Sequence, residues 1–182
     1  MAGFRPLQNQ SGGDYTGKIT QYSIASTHAS RIAVGDLVLL TGTADANGVA
    51  QVDRCTANPA ASLLVGPIVG FLPNFSNLEQ SGLPIGTGGT VLVADDPATL
   101  MEVSVSNGTI ALANVGLNAD LAPGTTAATG LAISTMTLNA GTDAATATLP
   151  IRIVGIKNGD LTAAQKIFVR MNNPNLKNTL GV

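Results

Sequence analysis

The side chains able to do chemistry are few. His28 is the only histidine and Cys55 the only cysteine. One histidine cannot build a His-based metal site, and acid–base work by His28 would need a partner. Ser26 and Ser30 lie in the same stretch but are not expected to form a nucleophile unit with it. A surface or interface position is the expectation for His28. Asp95 and Asp96 are adjacent carboxylates, a type of pair that can hold a hard cation or share a proton. They precede Pro97, however, and Asp-Asp-Pro is ordinary turn chemistry without an Asp-x-Asp-x-Asp-Gly loop around it. Gly86, Gly88 and Gly89 resemble a phosphate cradle only superficially. No Lys-Ser/Thr follows them, and the next element reads as a strand rather than a helix. Cys55, alone in a β-rich segment, reads as a small buried hydrophobe, and paired-cysteine zinc sites are excluded. No catalytic, cofactor-binding or metal-binding set converges, so a non-enzyme without cofactors is expected.

The elements around these residues read as β throughout. Ile19, Tyr22 and Ile24 alternate in a Thr/Ser-rich stretch. Arg31–Thr41 reads as strand with a turn at Gly35-Asp36. Asp45–Gly48 is a tight turn leading to a return strand that ends at Cys55. Leu63–Leu72 is nearly all apolar. Gly66, Pro67 and Gly70 argue against a helix there and for a buried or bent strand. Residues 73–90 read as a loop. Further strands are expected at Thr90–Ala94, Leu100–Val105, Ala132–Leu138, Pro150–Ile156 and Lys166–Arg170. Turns are expected at Asp95–Pro97, Asn107-Gly108 (a hairpin) and Lys157–Asp160. Only Leu161–Gln165 has helical character. Short strands separated by turns every ~8–12 residues indicate an all-β fold, a small barrel or sandwich of antiparallel strands. The organisation is an extended N-terminal arm over 1–17, a β domain over 18–170 and a C-terminal tail over 171–182. One domain, or two β subdomains with a break near 73–90, both remain open.

Composition limits the partners. Hydrophobic residues make up 45% of the 182-residue chain and charged residues 11%, against ~25% charged in an average domain. A surface this poor in charge suits a protein covered by other subunits better than a free monomer. The net charge is −2 without a basic run, and aromatics are 3% with no tryptophan. Nucleic-acid binding, which relies on clustered cations and stacking platforms, is not expected. No stretch has the ~20 apolar residues of a spanning helix, so no membrane partner is expected, and Met1–Gln10 lacks an apolar signal region. In the arm, Phe4, Arg5 and Leu7 stand out as partner-binding residues. Fully extended, fifteen residues reach ~50 Å at ~3.3 Å each. The arm is therefore expected to order on a neighbour and to be dispensable for folding.

Two segments carry a family resemblance. Val91-Leu-Val-Ala-Asp-Asp-Pro-Ala-Thr-Leu-Met-Glu-Val-Ser-Val105 resembles a V-A-D-D-P-x-x-x-x-E-V/I-x-V stretch of small virion head proteins of tailed bacteriophages. Lys166-Ile-Phe-Val-Arg-Met-Asn-Asn-Pro174 resembles their closing V-x-I/L-N-N-H strand, with Pro174 in place of histidine. Together they cover about an eighth of the 182-residue chain. The resemblance implies a capsid decoration (cement) protein, made in the host cytoplasm and placed on the capsid exterior. It further implies a homotrimer that bridges neighbouring major capsid proteins. A tail or head-fibre component and a carbohydrate-binding β module are the alternatives.

Overall fold

The computed structural model describes residues 3–9, 12–56, 64–75, 81–125 and 132–172. They form an all-β protein, with no α-helix among the described residues. The strands are β1 (Arg5–Gln8), β2 (Thr20–Ile24), β3 (Ile32–Ala33), β4 (Leu37–Ala44), β5 (Ala50–Arg54), β6 (Leu64–Phe71) and β7 (Gly82–Leu83). They continue as β8 (Gly89–Val93), β9 (Leu100–Ser106), β10 (Asn118–Ala122), β11 (Thr137–Ala144), β12 (Ile151–Ile156) and β13 (Lys166–Met171).

Two closed circuits organise these strands. The first is a barrel in the order β2-β5-β4-β6-β8, closed by antiparallel pairing of β8 with β2. In the second, β9-β11-β10-β12-β13, the additional pairing of β13 with β9 completes the ring. The connection between the circuits runs over residues 94–99, and β1 lies along β9 as an edge strand. Local sequence explains each turn. The Asp45 carboxylate accepts hydrogen bonds from the backbone N–H of Asn47 and Val49, both at 2.9 Å, and Gly48 takes the positive φ that closes the turn. The Val49 bond is the main reason the Asp45 carboxyl sits below its usual range. At Gly66, β6 passes so close to the end of β8 that a Cβ would lie 2.1 Å from the Ala94 carbonyl oxygen. Only glycine permits that approach. Pro67 next to it has no N–H to lose, and its carbonyl accepts from Ala94 N at 3.0 Å.

Alternation sets the cores. Tyr22, Ile24, Val38, Val52, Ile68 and Val91 fill the first barrel. Met101, Val103, Leu121, Leu138, Ile153 and Val169 fill the second. That second cluster also takes in Phe4, Leu37, Cys55 and Leu64, so it reaches across the junction to β4 and β6, next to the separate cluster that fills the first barrel. Three local expectations are corrected. The chain does turn at Asn107-Gly108, with Asn107 at φ 58°, but β9 does not pair with the strand that follows. β10 pairs instead with β11 and β12, which is non-local and invisible to a turn motif. The strand expected over Ala132–Leu138 lies later, at Thr137–Ala144, where Leu138 and Ala140 point inward from an otherwise polar segment. Leu161–Gln165 is not helical; Gln165 is fully buried, with its amide bound to both backbone groups of Ile110.

Candidate functional site

The residues singled out by type do not come together. His28 is buried rather than at a surface, 4% exposed. Its Nδ1 lies 2.7 Å from the Ser30 carbonyl oxygen and its Nε2 3.0 Å from that of Thr87. Both ring nitrogens face backbone acceptors, so the ring ties the loop after β2 to the loop before β8 and has no free nitrogen for a substrate proton. Its outer side borders a cleft of about 310 Å³ with Thr41, Thr43, Gln51 and Asp53. The two threonine hydroxyls there bond to each other at 2.8 Å and to Gln51. Asp95 and Asp96 form the expected turn. Asp96 Oδ1 accepts from Ala98 N at 3.0 Å, and Asp95 Oδ2 accepts from the Tyr22 hydroxyl at 3.2 Å. Burial, helped by the Asp95 charge and hydrogen bond, pushes the Tyr22 phenol up to about 12. Among the described residues no cluster of His, Cys, Asp or Glu could hold a metal ion. Gly88 and Gly89 pass against the ends of β2 and β7 and lead directly into β8.

Cys55 is fully buried, and burial pushes its thiol up to about 12, with the Asp120 charge adding to the effect and Arg54 opposing it. A thiol held neutral in this way is a poor nucleophile. The arm residues have different fates. Phe4 is 1% exposed and inside this chain's own core, with its N–H donated to the Gly35 carbonyl at 2.8 Å. Arg5 is exposed and Leu7 half-buried on β1. Beside β1, Phe4, Pro6, Tyr15, Val34 and Ile68 border an apolar groove of about 230 Å³.

At the junction of the two circuits lies a buried polar knot. Asp36 is fully buried. Its Oδ2 accepts from Arg54 Nε at 3.1 Å and Ala33 N at 2.8 Å, and its Oδ1 accepts from the Ser134 hydroxyl at 2.6 Å. Arg54 also donates to the carbonyls of Pro123 and Gly124. A charge pair at this depth is tolerable only when its hydrogen-bonding capacity is met, as it is here. The knot is structural: it ties 33–37, β5, 123–124 and 134 together and has no exposed face.

A cleft on the second circuit brings two like-charged side chains together. β12 and β13 pair antiparallel with Arg152 directly opposite Arg170. Alternation puts both on the outer face, because Ile151, Ile153, Val169 and Met171 point inward. They border a cleft of about 470 Å³ shared with Pro97, Ala98, Val115 and Val154. Neither guanidinium has an ion pair among the described residues, and Arg170 Nε is buried without a hydrogen-bond partner. Like charges directly across a ladder disfavour each other. On the next stretch of the same wall, Lys157 and Lys166 have a shared carboxylate, Glu102, at 2.6 and 3.4 Å. Burial works to raise Glu102, but the hydrogen bonds and charges of the two lysines outweigh it and hold the carboxyl below its usual range.

The arginine pair was missed because neither segment contains a motif. The period-2 pattern of I-R-I-V and F-V-R-M does place each arginine outside, but the register that sets them side by side is tertiary. In comparisons with family models, curated proteins and solved structures, nothing matches this chain.

Proposed function

We propose that this chain is a structural virion protein that binds the outside of a tailed-phage capsid as a self-associated, trimeric unit and stabilises it by bridging neighbouring major capsid proteins. The observation that carries this reading is the surface. A chain with only 9 Lys+Arg and 11 Asp+Glu displays large apolar side chains at many points, among them Phe75 (88% exposed), Leu112 (65%) and Ile85 (60%). A free domain ordinarily covers itself with ~25–35% charged residues. A surface this poor in charge is stabilised when other subunits cover it. Two β-circuits joined by an apolar cluster that draws on strands of both make a stiff body suited to bearing load between subunits. Many weak contacts acting together would then clamp the shell. The resembling segments support the same reading through structure rather than chemistry: Val91–Val105 builds β8, the Asp96 turn and β9, and Lys166–Met171 builds β13.

The test is native mass followed by co-sedimentation with empty heads of the phage that encodes the chain. A trimer that sediments with heads at fixed stoichiometry supports the reading. A chain that stays in the supernatant overturns it, and directs attention to a tail or fibre component or to a sugar-binding module.

A further inference from the structure

We infer that the cleft between Arg152 and Arg170 is a socket for an acidic side chain, Asp or Glu, projecting from a protein partner. The partner class rests on the surface-binding reading above; the preference for a carboxylate rests on the cleft itself. Two guanidinium groups stand at paired positions on β12 and β13 with no carboxylate partner among the described residues, although the fold provides one for the lysines nearby. Arg170 Nε is removed from solvent yet donates to nothing. A carboxylate would meet the two guanidinium groups where they border the cleft, not this enclosed atom. The planar fork of arginine matches the two oxygens of a carboxylate and can bind it bidentately.

The walls indicate what the carboxylate is attached to. Val115 and Val154, 38% and 41% exposed, stand beside Pro97 and Ala98. This apolar margin would cover the methylene stem and backbone of an acidic residue. At about 470 Å³ the cleft is far larger than an inorganic anion needs. Arginine beside apolar side chains is also a composition enriched at protein interfaces and their energetic centres.

The test is NMR titration of the full ¹⁵N-labelled chain with a capped Glu-Ala-Glu tripeptide, a capped Gln-Ala-Gln tripeptide and inorganic phosphate. Saturable shifts at the amides of Val115, Val154 and Arg170 are expected with the Glu peptide alone. The double variant R152Q/R170Q is expected to weaken that binding at least about tenfold. Its cross-peaks elsewhere should be unchanged, because neither side chain has an ion pair or a side-chain hydrogen bond among the described residues. No saturable response, an equal response to phosphate, or undiminished binding by the double variant would overturn the socket. The titration involves no virion. A chain that binds the peptide but does not sediment with heads would overturn the virion reading alone. A chain that sediments but ignores the peptide would overturn the socket alone.

Discussion

Arg54 and Arg170 are the same residue type in opposite circumstances. Arg54 lies at the junction with 5% of its side chain exposed and has Asp36, Pro123 and Gly124 as acceptors. Arg170 stands at a cleft with a second arginine opposite and no acceptor among the described residues. A fully buried guanidinium must be neutralised by its own fold, because leaving it bare costs several kcal/mol. At a cleft, water screens most of the charge, and the fold can leave the site open. The difference teaches where to look for partners. Inside, unsatisfied charge is a defect; at a concave surface it is an invitation.

Four substitutions test that contrast. The largest effect is expected from Asp36→Ala, which strands Arg54 and should cost about 3–5 kcal/mol in urea unfolding. A loss below 1 kcal/mol would mean that the knot is not what neutralises Arg54. Next is Phe4→Ala, at about 3 kcal/mol. Phe4 packs against the junction, so the arm is expected to be part of the folding unit, contrary to its reading as a dispensable extension. Unchanged stability on truncating residues 1–15 would refute this. Glu102→Gln removes the counterion of two lysines and should cost about 1–2 kcal/mol at pH 7. Its pH dependence has a definite sign. Because the folded carboxyl lies below its ordinary value of 4.5, its contribution is complete above that value and is lost as pH falls toward the folded value. The gap between wild type and variant should therefore close in acid, and a gap constant down to pH 3 would contradict the pairing. The smallest effect is expected from Arg152→Gln. It removes a repulsion, so it should leave the unfolding free energy unchanged or raise it at low salt, by up to about 0.5 kcal/mol. A clear loss would mean that Arg152 has a partner within the fold.

Much of this fold was legible in the residues because its signals are local. The turn at Asp45–Gly48 is written in one carboxylate and one glycine. Lys157–Asp160 turns through Asn158 at φ 54° and Gly159 at φ 65°, the two residue types that accept that conformation. Strand β11 was misplaced because Asn139, Gly141, Thr142 and Asp143 dilute its apolar positions to Leu138 and Ala140. It is a strand because β10 lies on one side and β9, in parallel, on the other. His28 misled for a related reason. Its Nε2 meets the carbonyl of Thr87, 59 residues away, and no neighbour in sequence announces that contact.

The sequence by itself determined the all-β class, most turns and which residues of each strand face inward, since φ preferences and two-residue alternation act within a few residues. The tertiary structure alone decided which strands meet. It closed β9 onto β13, placed Phe4 in the core, gave Arg54 its acceptors and set Arg152 opposite Arg170 without one. Pairing between distant strands depends on the packing of the whole barrel, and no short stretch of chain encodes it.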